Sequence, residues 1–435
     1  MNVRTINEHL ARGDWDHPAL WPRLTELKGH ALQFQVEFGL HQLPEAPGVL
    51  TIRGGRQYGK STWLEQQLFD SLHAYGKGSA FLLNGDEMDS SEAFAQGLIE
   101  LHAAFAPASR VKRLFIDEIT AIPDWERALK RVLDQGLLRD VLIVTTGSKA
   151  SDLRHGSERL PGRKGALERN DYVFLPLSYR AFHRHAEVLP AEHRWIAYLL
   201  TGGSPVACRE LLETGYLPAY VTQLFRDWIF GEIVASGRSR LTLHHLIAVL
   251  VEAGGQPVGY AKLAREAGLA NNTVAAGYLE RLSDLLCVLP AWPWDPGSRR
   301  LQLRKPCKFH FVNTGALIAL HPFGLRQVED FLALPPERQG VFLEWLVAQE
   351  LWRRSALHDP LQAESLGFWR SSDHEIDFVT PEGLLVEVKR GRAGPLDFAW
   401  CSQVFPHHDL KVICSTPFEA RRIRGMTIEQ FLLEG

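Results

Sequence analysis

The sequence predicts an α/β protein whose first large domain is a parallel sheet covered by helices. From residue 49 to about residue 177, apolar runs of strand length alternate with runs of helical periodicity, and such alternation is typical of parallel sheets. A glycine-rich loop joins the first strand to the first helix, at the edge where such sheets bind ligands. Predicted strands cover 49–52, 80–83, 113–116, 141–144 and 172–175, and predicted helices include 91–105 and 125–133.

The glycine-rich loop fits the phosphate-binding pattern G-x-x-x-x-G-K-[ST]. An apolar β-branched run precedes it and a helical run follows it, which is the context that this pattern needs. Backbone N–H groups and the helix N-terminus would face a phosphate; Lys60 would reach the β- and γ-phosphates of ATP, and Ser61 would hold Mg²⁺. The alternative is an ordinary glycine-rich turn. The predicted nucleotide loop consists of Gly54, Gly55, Arg56, Gln57, Tyr58, Gly59, Lys60, Ser61 and Thr62.

Two later strands of this region also end in polar residues. Residues 114–118 read LFIDE, and we expect Asp117 to join the Mg²⁺ shell and Glu118 to orient and deprotonate a water that attacks the γ-phosphate. Residues 141–148 read VLIVTTGS, where Ser148 is a candidate to sense the γ-phosphate or position that water. The alternatives are two solvated acids at a strand end and a plain Thr-Gly-Ser turn.

The composition favours a soluble protein of several domains. A chain of 435 residues, 45% hydrophobic and 23% charged, is too long for one core and typical of globular proteins. The net charge of −3 argues against a large nucleic-acid footprint, although a local basic face stays compatible with it. The five cysteines include no C-x-x-C pair, so no zinc site or disulfide framework is predicted. With no signal-peptide core and no apolar run of membrane-span length, we expect a cytoplasmic protein without membrane contact.

The order of these motifs resembles the AAA+-related ATPases of bacteria and archaea. The glycine loop is followed by IDEI at 116–119, IPDW at 122–125 and TGS at 146–148. One branch of that group carries a C-terminal nuclease-like domain of unknown function, and its later motifs are similar to 161–163, 176–179, 200–205 and 308–315. The resemblance covers most of the chain beyond residue 48. Lys149 and Asn313 depart from it, because relatives usually carry a small polar residue and Asp there.

The resemblance also implies an oligomer in which an arginine acts on the γ-phosphate, in cis or from a neighbouring subunit. Arg163 is the best candidate for that arginine. Arg154 and Arg159 lie in the same stretch and leave the assignment open, and a solvated basic loop is the alternative.

We predict five segments along the chain. They are a helical N-terminal lead-in (1–45), a P-loop ATPase core (46–180), a helical lid implied by the resemblance (181–241), a winged helix-turn-helix (242–320) and a C-terminal nuclease-like domain (321–435). The winged domain is predicted from successive helices and from a hairpin that pairs 287–290 with 301–303.

The second helix of the predicted helix-turn-helix is the candidate for reading DNA. In that interpretation Asn271, Asn272, Thr273 and Tyr278 face the DNA. Arg281 is the one base on this helix, with acids beside it, and phosphate contact normally needs more positive charge. A winged helix that packs against protein is therefore the alternative.

Two strands near the C-terminus resemble the core of PD-(D/E)xK, restriction-endonuclease-like nucleases. Asp377 lies in one strand and Glu387 in the next; Glu387 and Lys389 share a face because strands have a period of two. The resemblance implies that Asp377 and Glu387 bind Mg²⁺, that Lys389 positions the attacking water, and that Glu344 on the preceding helix is the fourth member. The alternatives are a salt-bridged strand pair and an inactive nuclease fold kept for binding.

From the sequence we expect a Mg²⁺-dependent AAA+-type ATPase that couples ATP hydrolysis to action on DNA, with branched DNA in repair, recombination or defence as candidate settings. We expect a homo-oligomer. Two other functions stay open: a nucleotide-gated switch that binds a protein partner, and an ATP-gated DNA nuclease.

Overall fold

A parallel sheet organises the first of the two units into which the chain divides, Met1–Leu175. The computed structural model describes residues 2–148, 165, 167–322, 324–360 and 362–434. Within that part, the sheet has the order β2-β3-β4-β1-β5 and all its pairings are parallel, so the predicted parallel sheet is confirmed. Its strands are β1 (Gly48–Arg53), β2 (Ala80–Asn84), β3 (Lys112–Asp117), β4 (Val141–Gly147) and β5 (Asp171–Val173).

Helices connect β1 to β2, β2 to β3 and β3 to β4, as the sequence predicts. They are α3 (Lys60–Tyr75), α4 (Ser91–Ala104) and α5 (Trp125–Asp134). The central strands β1, β3 and β4 are buried along nearly their whole length, which explains why they read as continuous apolar runs and not as alternating ones.

Two helices precede the sheet, α1 (Val3–Arg12) and α2 (Pro22–Gly29), whereas residues 30–47 form neither helix nor strand. The side chain of Asn7 on α1 donates to the carbonyl oxygen of Leu82 at 2.7 Å and accepts from the N–H of Leu82 at 3.0 Å. Because β2 is an edge strand, Asn7 pairs backbone groups that no neighbouring strand reaches. The N-terminal lead-in is therefore part of the first unit.

The second unit, Pro176–Gly435, begins with a run of helices. They are α6 (Tyr179–His183), α7 (Ala191–Thr201), α8 (Pro205–Thr214), α9 (Ala219–Ala235), α10 (Arg240–Glu252), α11 (Tyr260–Glu266) and α12 (Asn272–Asp284). The side chain of Asn271 accepts a hydrogen bond from the N–H of Val274 and caps α12, as its position before a helical run predicts.

The strands of the second unit form one mixed sheet. Within the described residues its order is β13-β14-β12-β11-β10-β9-β6-β7, and β8 also pairs with β6. The strands are β6 (Val288–Asp295), β7 (Arg300–Leu301), β8 (Lys308–Phe311), β9 (Leu366–Arg370), β10 (Glu375–Val379), β11 (Leu385–Val388), β12 (Leu410–Ile413), β13 (Phe418–Ala420) and β14 (Ile423–Met426). The helices α13 (Thr314–Leu320), α14 (Val328–Leu332), α15 (Pro336–His358), α16 (Cys401–Val404) and α17 (Ile428–Leu433) complete the unit.

The pairing of β6 differs from the predicted hairpin. Its first half, from Val288, pairs with β8, and β7 meets only its far end at Trp294 and Asp295. The predicted pairing of 287–290 with 301–303 is therefore wrong. Strand β6 also pairs in parallel with β9, so a domain boundary at residue 320 would separate paired strands of one sheet.

No helix in the described ranges combines the length and the apolar character that crossing a bilayer requires.

Candidate nucleotide site and a buried carboxylate cluster

The loop between β1 and α3 takes a path that depends on glycine at two positions. A Cβ atom at Gly54 would lie 2.7 Å from the carbonyl oxygen of Phe174, closer than a Cβ atom can come to a backbone oxygen. Gly59, which caps α3, has φ of +95°, a conformation that residues with a Cβ rarely adopt. Gly54 and Gly59 of the predicted phosphate loop are thus required by the path of the backbone.

Lys60 lies inside this loop. Its ammonium donates to the carbonyl oxygens of Gly54 at 2.9 Å and Gly55 at 2.8 Å, and the residue is buried. Burial lowers the pKa of Lys60, while the charges of Glu118 and Asp117 oppose that change. Because charged phosphate oxygens are stronger acceptors than carbonyls, a phosphate in the loop would compete for this ammonium.

The acids Asp117 and Glu118 are oriented by the end of β4. The parallel register places Ile116 beside Thr145, so Asp117 comes next to Thr146. The Thr146 hydroxyl donates to Asp117 Oδ1 at 2.6 Å and accepts from the N–H of Glu118 at 3.2 Å. One hydroxyl therefore holds the carboxylate of Asp117 and the backbone of Glu118, a role for Thr146 that sequence analysis missed.

Glu118 is held in a conformation that is uncommon for a residue with a side chain. Its φ of 47° lies in the left-handed region, and such strain concentrates at functional sites. Its carboxylate Oε2 accepts a hydrogen bond from the backbone N–H of Ser148 at 3.1 Å. Ser148, predicted as a γ-phosphate sensor or water-positioning residue, is buried and contacts Glu118 through its backbone. The predicted Arg163, with Arg154 and Arg159, lies outside the described residues.

An arginine of the N-terminal segment also reaches this site, and no sequence motif pointed to it. Arg23 of α2 lies with Nη2 3.6 Å from Asp117 Oδ2 and with Nη1 3.6 Å from Glu65 Oε2. Glu65 belongs to α3, the helix that begins at the phosphate loop. The site therefore brings the cationic Arg23 and Lys60 close to three acids: Glu65, Asp117 and Glu118.

In the second unit, the predicted DNA-reading helix buries one of its candidate residues. Tyr278 is buried, and its hydroxyl accepts from the N–H of Ser239 and donates to the carbonyl oxygen of Ser239. Its predicted contact with DNA is wrong, because the side chain serves packing. Asn271 caps α12, and Asn272 and Thr273 are exposed.

Two of the four predicted nuclease residues, Glu344 and Asp377, contact a further residue, Lys308, that the sequence did not single out. Lys308 lies on β8 and is only 1% exposed. Its Nζ is 2.7 Å from Glu375 Oε1, 3.1 Å from Asp377 Oδ1 and 3.4 Å from Glu344 Oε1. Burial alone would lower the pKa of Lys308, but the charges of Asp377, Glu344 and Glu375 raise it well above its ordinary value. The ammonium is thus the internal counter-ion of this carboxylate cluster.

Glu387 and Asp377 are tied to each other through the backbone. Glu387 Oε2 accepts from the N–H of Asp377 at 3.1 Å, and Asp377 Oδ2 accepts from the N–H of Val388 at 2.9 Å. Lys389 Nζ lies 2.5 Å from Glu387 Oε1. Burial, followed by the charge of Asp377, raises the pKa of Glu387 to about 8 and that of Glu344 to about 7. The predicted residues therefore converge, but as an ion-paired cluster.

A metal ion at this cluster would have to compete with Lys308. In the part of the chain that the structure describes, no group of three or more His, Cys, Asp and Glu side chains is arranged to hold a metal. Beside the cluster lies a cleft of about 520 Å³ whose lining includes Arg370, Lys389 and Arg392 as well as Glu387. Three cationic side chains therefore lie beside the carboxylate cluster, in a cleft that is also lined by acids: Asp373, Glu375, Glu387 and Asp397.

Comparisons with known proteins agree with the geometry of the first unit. Residues 46–183 match the family described as AAA domain, and residues 192–328 match a domain of unknown function. With its five-stranded parallel sheet and glycine loop, the first unit has the fold of a P-loop ATPase domain of the AAA+ type. No curated protein matches the chain.

Solved structures with some similarity include a Walker-type ATPase of Pyrococcus abyssi (14% identity, 71% of this chain and 97% of that chain covered, TM-score 0.42). Another is a variant of Thermotoga maritima RuvB (13% identity, 69% of this chain and 92% of that chain covered, TM-score 0.31). A third is Cdc6p from Pyrobaculum aerophilum (15% identity, 70% of this chain and 93% of that chain covered, TM-score 0.27). At these TM-scores the likeness carries no argument about function.

Proposed function

We propose that the first unit binds and hydrolyses ATP with Mg²⁺. The observation that supports this most directly is the convergence of Lys60, Asp117 and Glu118 at the carboxyl ends of β1 and β3, the two strands that flank β4 in the parallel sheet. Hydrogen bonds within the first unit hold each of the three side chains. Ligands of such sheets bind at that edge. In this proposal Lys60 binds the β- and γ-phosphates, and the N–H groups of the loop share their charge.

The donors near the loop suit Mg²⁺. The Ser61 hydroxyl and the Asp117 carboxylate are hard oxygen ligands, which Mg²⁺ prefers. Mg²⁺ bound there would neutralise the charge that develops on the phosphates. We assign deprotonation of the attacking water to Glu118, whose Oε2 is fixed by the N–H of Ser148 and whose second oxygen would face the water.

Release of phosphate from ATP, with and without Mg²⁺, tests this proposal. Lys60→Ala should abolish tight ATP binding, because the phosphates lose their main cationic side chain. Lys130→Ala, at an exposed position of α5, is the matched control and should bind as the wild type does. Equal ATP affinity of both variants would contradict the assignment of the loop.

We further propose that hydrolysis is coupled to action on DNA, with branched DNA as one candidate form, in a cytoplasmic homo-oligomer. The proposed contact is Arg392, which lines the cleft of the second unit, because cationic side chains supply most of the affinity for DNA phosphates. Arg370 and Lys389 line the same cleft but pair with its acids Glu375 and Glu387. Charge reversal at Arg392 should weaken DNA binding and reduce the slope of log K against log salt by about one, as the loss of one phosphate contact does. Unchanged affinity and an unchanged slope would contradict the contact.

A nucleotide-gated protein switch is the alternative to action on DNA. ATPase rates measured with linear, single-stranded and branched DNA separate the two functions. DNA should stimulate an ATPase that acts on DNA and should leave the rate of a protein switch unchanged. In the proposed oligomer, Arg163 of one subunit would act on the γ-phosphate of its neighbour.

For the nuclease alternative, one observation favours binding over cleavage. Metal-dependent cleavage needs a divalent ion at Asp377 and Glu387, and the Lys308 ammonium lies 3.1 Å from Asp377 Oδ1. We therefore propose that the second unit binds DNA without cutting it. Cleavage of labelled DNA with Mn²⁺, present in the wild type and lost in Asp377→Ala, would overturn this and establish the nuclease.

A further inference from the structure

The N-terminal segment places a guanidinium on the acid that we assign to Mg²⁺. Asp117 Oδ1 accepts the Thr146 hydroxyl at 2.6 Å, while Oδ2 faces Arg23 Nη2 at 3.6 Å. Oδ2 is therefore the oxygen that would turn to a metal. Since a guanidinium and a divalent ion are both attracted to this oxygen, the two compete for it.

Arg23 is brought there by a contact with the helix of the phosphate loop. Glu65 Oε1 accepts the backbone N–H groups of Arg23 at 3.0 Å and Leu24 at 3.1 Å. These N–H groups belong to the first turn of α2, where no partner exists within the helix, and a carboxylate at this end is also favoured by the helix dipole. Glu65 lies one turn after Ser61 on α3. The first turns of α3 therefore carry both a candidate Mg²⁺ ligand, Ser61, and the carboxylate that binds the N-terminus of α2, Glu65.

The ion pair is suited to being displaced. Asp117 and Glu65 are buried, whereas the side chain of Arg23 is 47% exposed, so water can solvate the guanidinium when it leaves. Half-exposed pairs at 3.6 Å are weak. The backbone bonds from α2 to Glu65 do not involve the guanidinium and would hold the segment in place when the pair breaks.

We propose that Arg23 is a built-in competitor of Mg²⁺: it pairs with Asp117 until Mg²⁺ arrives with ATP, and it raises the Mg²⁺ concentration at which the nucleotide site fills. This inference rests on the proposed ATP-binding function. It makes the N-terminal segment a determinant of the nucleotide site and not only a cover for the edge strand.

The test is binding of a fluorescent ATP analogue to the full chain over a series of Mg²⁺ concentrations. Arg23→Ala should lower the half-saturating Mg²⁺ concentration about twofold to fivefold, the factor that corresponds to a weak exposed ion pair. Arg23→Gln keeps a long polar side chain without the charge and should show the same decrease. Arg12→Ala, at an exposed position of α1, is the matched control and should leave the Mg²⁺ dependence unchanged.

The outcomes distinguish a failure of ATP binding from a failure of the competitor role. If the wild type does not bind the analogue at any Mg²⁺ concentration, the proposed function fails. If the wild type binds and both Arg23 variants keep its half-saturating Mg²⁺ concentration, the competitor role is wrong while ATP binding stands. If the variants lose affinity for the analogue equally at all Mg²⁺ concentrations, Arg23 contacts the phosphates, which also overturns the competitor role.

Discussion

Replacing Lys308 with methionine is expected to destabilise the second unit by about 3–5 kcal/mol, the usual loss when one partner of a buried ion pair is removed. Methionine keeps the length of the side chain, so little volume changes. What is lost is an ammonium that is 1% exposed and lies within 3.4 Å of oxygens of three carboxylates. The carboxylates of Glu344, Glu375 and Asp377 would be left close together without their counter-ion.

Urea unfolding of the full chain, followed by tryptophan fluorescence, measures this loss. Lys411→Met is the matched control: Lys411 lies on β12 of the same sheet, and its ion pair with Glu434 is about one-quarter exposed at both side chains. An exposed pair is worth about 0–1 kcal/mol, so the control should barely shift the transition.

A second substitution tests whether the loss comes from the uncompensated acids. At pH 9, above the raised pKa of Glu344 of about 7, adding Glu344→Gln to Lys308→Met removes one of the stranded charges. It should recover about 1–3 kcal/mol, a coupling typical of contacting residues. A loss below about 1 kcal/mol for Lys308→Met, or no recovery in the double variant, would refute the view that Lys308 neutralises the cluster.

Three further predictions concern the first unit. Gly54→Ala should cost about 1–3 kcal/mol of stability in thermal unfolding, because its Cβ would clash with backbone. Thr146→Val should reduce kcat about tenfold to a hundredfold with little change in KM for ATP, because the hydroxyl that orients Asp117 is lost. Mixing inactive Arg163→Ala chains with inactive Glu118→Gln chains should restore part of the activity, whereas a monomer under ATP in light scattering would contradict the shared site.

The sequence predicts the first unit well because its signals are local. The phosphate loop is a short pattern between a strand and a helix, and the buried strands are continuous apolar runs, so neither depends on distant residues. Asp117 and Glu118 follow directly from the end of such a run. Their orientation by Thr146 depends on the register of β3 against β4, which the sequence of either strand alone does not determine.

The residues that sequence analysis missed act across large separations in the chain. Lys308 lies on β8, which the sequence places in the predicted winged domain, whereas Asp377 falls in the predicted nuclease-like domain. The two residues meet because β6 pairs with β8 on one side and with β9 of the C-terminal strands on the other. A lysine within a strand of otherwise aromatic and histidine residues, KFHF, was a signal that could have been followed. The sequence could also have predicted Glu375 as a member of the cluster, because it lies two residues before Asp377 and so on the same face of β10. Arg23 has no comparable signal, because its position depends on how α2 meets Glu65.

The most direct test of the account is the comparison of ATP binding with ATP turnover in Glu118→Gln. The glutamine oxygen can still accept the N–H of Ser148, so the side chain keeps its place but can no longer take a proton from water. The account predicts wild-type ATP affinity and a turnover lower by about a hundredfold or more, with Glu100→Gln, exposed on α4, unchanged in both. Hydrolysis at the wild-type rate by Glu118→Gln would contradict the central claim that this carboxylate activates the water.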